Sequence, residues 1–444
     1  MSFGRLGASG GFGGMGGSSS ANNRDFPYPT FPFTTLAKLQ TVSDMQAHSA
    51  GTYVDQAMAD SPYGATAIQW TANGSNGGVI SKTLLSTPVD VRNGNIRFTF
   101  KPLNQISNSP GLFQFNIVIM SAGTPAAPSG NNHQAVILLP IEQLSTSATV
   151  GRWQSIGIPV NSNFTAVGTG ADLSAIKYAT ISLGGGANSM ALGNVDFVPN
   201  PRSKAAVLVR FDDGYDQSYT IGFPLLQAVG APAALAIGAS QTHINGGGQL
   251  TTSQIRTLLN AGWQYMSQSW STEDQPTVDG WTSAQRLAEY VSTRNVAKQW
   301  NRYRDSYDGT YYSNVNYQDM VAWPELNASF RTLTNFLSGV ASGGPLYLGE
   351  GFPFGDPKNI ISLGLASDGG SGVTLTTFLN TALEQARTNR GVLVLTIHNE
   401  LGDPNALQAF NDMITYVTVT HPSEIEFSTM RKLLAPYNGD ALQG

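Results

Sequence analysis

Near residue 200 the hydrophobic pattern changes its period, and that change restricts the chain to a fold in two dissimilar parts. Before it, apolar and polar residues alternate. Ile96-Arg97-Phe98-Thr99-Phe100-Lys101 and Phe113-Gln114-Phe115-Asn116-Ile117 have the two-residue period of half-buried strands. Residues 134–139, 153–160, 176–183 and 194–198 are further strand candidates. Pro, Gly and Asn clusters separate them at the spacing of a β-sandwich or jelly roll. Residues 24–88 show no clear pattern and are expected to form an arm leading into the sandwich.

After residue 200, short apolar strands (205–211, 233–237, 346–349, 392–397) alternate with helical patterns. Ile255, Leu258 and Leu259 share one helical face, as do Leu375, Phe378, Leu379, Ala382 and Leu383, and Leu407, Phe410, Met413, Ile414 and Val417. Strand–helix alternation over this length predicts an α/β layer or barrel, with chemistry where strands end. Residues 1–23 differ from both parts. Their run MSFGRLGASGGFGGMGGSSS cannot build a core, and Phe3, Leu6, Phe12 and Met15 are the apolar anchors expected to enter a partner's groove. The expectation is three regions: a Gly-rich attachment segment (1–23), a sandwich (24–200) and a barrel (201–444), within the two to four domains that 444 residues suit.

Composition narrows the partners. Lys+Arg 24 against Asp+Glu 29 leaves no basic run able to track a phosphate backbone, so nucleic acid is not an expected partner. Charged residues are 12%, about half the usual share, while Gly reaches 49. The resulting polar but uncharged surface suits sugars or neighbouring subunits. Cysteine is absent, which removes disulfides, thiol nucleophiles and thiolate metal sites, and leaves the compartment open. No apolar run approaches the ~18 residues of a membrane span. The first residues lack the cationic start and apolar stretch of a signal peptide, so none is expected.

The strand 205–211 runs into Asp212-Asp213-Gly214-Tyr215. Adjacent carboxylates at a strand end cannot share one environment, so one suits a metal while the other stays free as a base; the same residues also make an ordinary turn. VLVRFDDGYDQSYTIGFPLLQAVGAPAALAIGA, LTTSQIRTLLNAGWQYMSQSWS, LYLGEGFPFGDP and VLVLTIHNELGDP follow in an order that resembles the polysaccharide deacetylases of carbohydrate esterase family 4. The resemblance implies a distorted (β/α) barrel that removes N- or O-acetyl groups with a divalent metal. It makes Asp212 the catalytic base, Asp213 a metal ligand and His398 the general acid. Gln268 and Thr272 stand where the family's two metal-binding histidines belong, and Gly351-Phe352-Pro353-Phe354-Gly355 lacks the arginine that orients the base. In the preceding region, GRWQSIGIPVNSNF, ADLSAIKYATISLGGG and NVDFVP resemble the last strands of jelly rolls of the carbohydrate-binding-module kind.

A catalytic zinc site takes about three protein ligands and a water, drawn from imidazole and carboxylate. With Gln and Thr in two positions, no cofactor is expected, and water is not brought to a pKa of about 7. An oxygen site rebuilt from Glu273, Asp274, Glu350 or Glu400 would restore zinc or another divalent metal and a deacetylase. Without metal, His398 reads as a hydrogen-bonded structural group. The Asp212–Asp213 charges then need another partner: Arg210 is one, and the N–H groups of Gly214-Tyr215-Asp216 are the one expected here. The aromatic run Tyr303, Tyr307, Tyr311, Tyr312, Tyr317 and Trp323 suits sugar stacking, a subunit interface or packing on its own barrel.

These features together favour an oligomeric virion protein, a tail fibre or spike assembled in the host cytoplasm. Its Gly-rich start would join other virion subunits, and its inactive deacetylase-like barrel would bind host surface polysaccharide. The alternatives are a metal-dependent deacetylase with a non-standard site and a purely structural particle component.

Overall fold

The computed structural model describes residues 32–104, 112–140, 151, 153–184, 188–238, 244–268, 281–302, 308–310, 332–337, 360–365 and 375–434. The attachment segment, the strand 346–349, Thr272, Glu273, Asp274, Glu350, the 351–355 turn and the aromatic run from Tyr303 to Trp323 lie outside the described residues.

Two six-stranded antiparallel sheets form the first part. One carries β1 (Thr34–Ala37), β3 (Thr52–Ala57), β4 (Thr66–Thr71), β6 (Gly94–Pro102), β11 (Gln154–Pro159) and β14 (Ser189–Pro199). The other carries β2 (Met45–Ser49), β5 (Gly77–Ser81), β7 (Leu112–Met120), β10 (Asn132–Pro140), β12 (Thr165–Val167) and β13 (Tyr178–Leu183). The short strands β8 (Gly123–Thr124) and β9 (Ala127–Pro128) make a hairpin beside them. Ile68, Trp70, Ile96, Phe98, Ile117, Ile119 and Ile181 fill the space between the sheets, each almost wholly buried. Over its described residues the expected arm is not an arm: residues 32–88 hold β1 to β5 and contribute to both sheets. Their turn-rich alternation hides this, yet Trp70 at 0% exposure fixes β4 in the core.

The strand β6 is also more enclosed than its alternation predicts. Arg97 and Thr99, on the face away from the core, are themselves buried. The ring of Phe33 lies over Arg97 at 5.2 Å, and Tyr63 hydrogen-bonds Thr99.

The second part is built on β15 (Ala205–Asp212), β16 (Ala234–Ile237), β17 (Gln264–Ser267), β18 (Asp308–Thr310), β19 (Thr332–Leu337), β20 (Ile360–Gly364), β21 (Val392–Ile397) and β22 (Ile425–Phe427). All pair in parallel, and the order runs from β16 through β21 to β15, which pairs with β16 again. Seven strands thus close a ring, with β22 held against the start of β15. Three of these strands, β18, β20 and β22, are only three to five residues long and carry too little pattern to stand out from the sequence. Helices Thr252–Asn260, Leu375–Asn389 and Pro404–Thr415 cover the outside, burying Ile255, Leu258, Leu259, Leu379, Ala382, Leu383, Phe410, Met413 and Ile414. Leu407 is half-buried. Thr251 and Gln254 box the start of the first helix, and Asp403 caps the third.

Alternation along β15 decides what reaches the barrel interior. Val207, Val209 and Phe211 pack outward against the helices. Ala206 and Leu208 point inward, where Val392, Val394, Met430 and Leu433 close the floor. By the same period Arg210 and Asp212 point inward one and two steps higher. Val198, from the last sandwich strand, joins the floor cluster, so the two parts share packed apolar side chains. No helix among the described residues is long and apolar enough to cross a membrane.

Candidate functional site

Asp212, Asp213, Gln268 and His398 come together at the ends of β15, β17 and β21. Asp212 is 3% exposed, and both its oxygens are taken by Arg210: Nε donates to Oδ1 and Nη2 to Oδ2, each at 2.7 Å. Burial pushes the Asp212 carboxyl above its ordinary range, and the Arg210 guanidinium opposes that shift. Of the backbone N–H groups expected to help, that of Asp216 donates to the Gly248 carbonyl instead. The signal for Arg210 lay in the sequence, since residues two apart on a strand share a face.

The chain turns sharply at Asp213, whose φ of +62° is left-handed. Asp tolerates this conformation better than most residues, and Gln268 supports it from β17. The Gln268 Oε1 accepts the Asp213 N–H at 3.2 Å, and Gln268 Nε2 donates to Asp213 Oδ1 at 2.5 Å. Since an N–H requires an acceptor, Oε1 faces the backbone and the amide nitrogen faces the carboxylate. Gln268 itself is 3% exposed.

On the other side, His398 Nε2 lies 3.7 Å from Asp213 Oδ2, while its Nδ1 meets Glu400 Oε1 at 3.2 Å. Glu400 also accepts the His398 N–H at 2.5 Å. Burial alone would lower the His398 pKa, but the bond to Glu400 and the Asp212 and Asp213 charges raise it to about 9. Burial acts to raise Glu400, and the His398 imidazole outweighs it, leaving that carboxyl below its usual range. Glu400 is a partner that the resemblance did not supply; its mark is the spacing His398-Asn399-Glu400.

These residues do not fit a divalent metal. The Gln268 donor nitrogen, not its oxygen, addresses Asp213, and its one acceptor is used by a backbone N–H. Both oxygens of Asp212 are engaged by Arg210. Among the described residues, no group of three or more His, Cys, Asp or Glu side chains is placed to hold a metal ion. The arrangement can bind through hydrogen bonds and can hold a proton on His398. Among the described residues it holds no donor set that would activate water by coordination.

No family model matches the sequence, and no curated protein matches it. Among solved structures, the chain is similar to the Xyl-CE4 domain of a multidomain xylanase from the hindgut metagenome of Trinervitermes trinervoides: 14% identity, 52% of this chain, 91% of that one, TM-score 0.35. It is also similar to a family 4 carbohydrate esterase from Streptomyces lividans in complex with acetate, at 14% identity, covering 52% and 94%, with a TM-score of 0.32. A family 11 carbohydrate-binding module of a Clostridium thermocellum cellulase is similar over 38% of this chain and 95% of its own, at 14% identity and TM-score 0.26. At such TM-scores the likenesses carry no argument, and the case for function rests on the side chains.

Proposed function

We propose that this chain is a carbohydrate-binding component of a virion, a tail fibre or spike, whose barrel holds host surface polysaccharide without deacetylating it. The observation that carries the reading is the Gln268 carboxamide clamped on Asp213 where the deacetylase resemblance calls for a metal. The Arg210–Asp212 pair supports it, because a carboxylate 3% exposed and doubly bonded is poorly placed to take a proton from water. The surface, rich in uncharged polar residues, suits glycan contact, and residues 1–23 serve as the attachment to other virion subunits. The assembly is an oligomer.

The test combines glycan binding, zinc content and acetate release by the purified full chain. Binding to surface polysaccharide with no acetate release is the expected result. Stoichiometric zinc that is lost in Asp213→Ala, together with acetate release, would establish the metal-dependent deacetylase instead. Absence of binding to any glycan would favour a purely structural particle component. Deleting residues 1–23 is expected to leave a soluble, folded chain that no longer joins the particle; normal incorporation would refute the attachment role.

A further inference from the structure

Asn is followed by Gly at five places, 73–74, 76–77, 93–94, 245–246 and 438–439, the last outside the described residues. Such a pair can react with itself, because Gly has no Cβ to keep its backbone nitrogen away from the preceding carboxamide. The four described pairs share this chemistry and differ in their surroundings.

Three are held out of reach of the reaction. Gly77 opens β5 opposite Leu183, and its backbone lies on the Trp70 indole, where an added Cβ would stand 2.7 Å from Nε1. Gly94 opens β6 opposite Pro199, pressed against the Phe197 ring, and the Asn93 carbonyl accepts the Asn200 N–H at 2.9 Å. The Asn245 carboxamide is turned toward the start of the helix Thr252–Asn260. There its Oδ1 accepts the Thr252 N–H at 3.1 Å, and its Nδ2 donates to Thr252 Oγ1 at 3.3 Å.

Asn73 differs in each respect. It is exposed, with Gly74, in the link that leaves β4 of one sheet for β5 of the other. Its Oδ1 accepts the Ser75 N–H at 3.3 Å, which folds the carboxamide back along the Gly74 peptide and draws electron density from Cγ. Gly74 is left-handed at φ +92°, and no atom lies within 4 Å of where its Cβ would stand. The backbone therefore has room to close on Cγ.

We propose that Asn73 is a site of spontaneous covalent modification, in which its side-chain amide becomes a carboxylate without an enzyme. Base takes the Gly74 N–H proton, and the nitrogen attacks Asn73 Cγ. A new C–N bond closes a cyclic imide, the bond to Nδ2 breaks, and Nδ2 leaves with a proton as ammonia. Water then opens the imide at either carbonyl, giving aspartate or, with one more carbon in the backbone, isoaspartate. Nothing is oxidised or reduced. The product puts a negative charge on a link that carries none, and the isoaspartate form lengthens the path between the two sheets. This goes beyond the carbohydrate-binding reading and does not depend on it.

The full chain, incubated at mildly alkaline pH, is mapped by peptide mass spectrometry, with isoaspartate detected by enzymatic methyl transfer. Modification at Asn73 is expected to be at least about tenfold faster than at Asn76, Asn93 or Asn245, because only there is the Gly backbone free to turn. Its rate should rise with pH, since the attacking nitrogen must lose a proton. Gly74→Ala should slow it about tenfold, because a Cβ restricts the backbone that must close. If that variant does not fold by circular dichroism, Asn73→Gln carries the test: it moves the carboxamide one carbon away and should abolish modification at this position. Denaturing the wild-type chain in urea should erase the difference among the four pairs. Equal or faster modification at any of the other three, or an Asn73 rate that ignores pH or survives these substitutions, would overturn the proposal. A preference for Asn73 that persists in urea would overturn its structural basis, since neighbouring sequence alone would then select the site.

Discussion

Each half of the molecule buries an arginine–aspartate pair, and the two pairs are built differently. In the sandwich, Arg97 Nη2 donates to Asp196 Oδ2 at 2.8 Å across the β6–β14 register, and Thr35 donates to the other oxygen at 2.8 Å. In the barrel, Arg210 grips Asp212 from the same strand through two bonds, with both side chains nearly sealed. The sandwich pair knits three strands together and gives Asp196 a neutral second donor. The barrel pair lies within one strand, two residues apart, and neutralises a carboxylate at the edge of a candidate site. Burial raises the carboxyl in both, and the arginine opposes it in both. Similar chemistry thus serves cohesion in one part and charge control in the other.

Removing the arginines is the strongest way to break this comparison. Arg210→Met leaves Asp212 buried with its one guanidinium gone, and should cost about 3–5 kcal/mol in urea denaturation. Arg97→Met should cost less, roughly 2 kcal/mol, because Asp196 keeps the Thr35 hydroxyl. Joint replacement of Arg210→Met and Asp212→Leu should recover most of the first loss, since a packed apolar pair avoids the desolvation penalty. Equal losses for the two single variants would show that the Thr35 contact and the cross-strand position do not matter.

Proton linkage separates the halves with opposite sign. His398 is raised from 6.5 to about 9 in the folded barrel. The folded state then binds a proton that the unfolded chain has released, so this stabilisation is full below about pH 6.5 and lost as pH rises through about 9. On the order of 2–3 kcal/mol is at stake, and His398→Gln should flatten the decline in denaturation midpoint over that window. His133, on the sandwich strand β10 between Ile119 and Ala166, is pushed down by burial against a weaker opposing pull from Asp172. The unfolded chain then binds the proton more readily, so its contribution is lost as pH falls below 6.5. A wild-type midpoint that rises from pH 6.5 to 9 would contradict the barrel half of this account.

How far the sequence reveals each pair follows from their geometry. Arg210 and Asp212 are two residues apart on one apolar strand, so their shared face is readable from Arg210-Phe211-Asp212 alone. Arg97 and Asp196 are 99 residues apart. Their meeting depends on the register of β14 against β6, which shifts between Leu192 and Val195, and no local pattern announces such a shift. The change of period near residue 200 shows the two-part architecture, and β15 and β21 stand out as apolar runs. The strands β18, β20 and β22 are three to five residues long and carry too little pattern to be seen. At the site, the spacing from Trp263 to Gln268 brings the amide to Asp213 only through the deacetylase resemblance. The Glu400 contact needs the turn after β21, which periodicity does not describe.

The Gln268 clamp gives a smaller effect that sharpens the role of charge in the barrel. Gln268→Ala removes one bond to a carboxylate and one to a strained backbone N–H, and should cost about 2 kcal/mol in the same denaturation assay. Gln268→Glu keeps an acceptor for the N–H but sets a carboxylate against Asp213. That variant should be less stable than wild type and should gain thermal stability from added zinc, because two carboxylates and His398 then converge. A zinc response in wild type equal to that of the variant would mean that the amide does not block a cation.

The smallest expected effect tests whether the two halves, so different in their charge pairs, behave as one body. Asn200 Nδ2 donates to the carbonyls of Arg390 at 2.9 Å and Asn389 at 3.4 Å, at the end of the helix Leu375–Asn389. Its own N–H donates to Asn93 in the sandwich at 2.9 Å, and its Oδ1 accepts from Arg202 at 2.9 Å. One side chain therefore caps a barrel helix while its backbone is pinned to the sandwich. Asn200→Ala should lose about 1 kcal/mol, seen as faster amide exchange at Arg390 and Gly391. The apolar floor is untouched by this change, and Val198 still packs against Leu208, Val394 and Met430. Sandwich and barrel amides should consequently keep a common exchange limit in the variant. Val198→Asp, which places a charge in that floor, should split the limit in two. If the wild-type protein already shows two limits, the shared cluster does not couple the halves, and each charge pair stabilises its own domain alone.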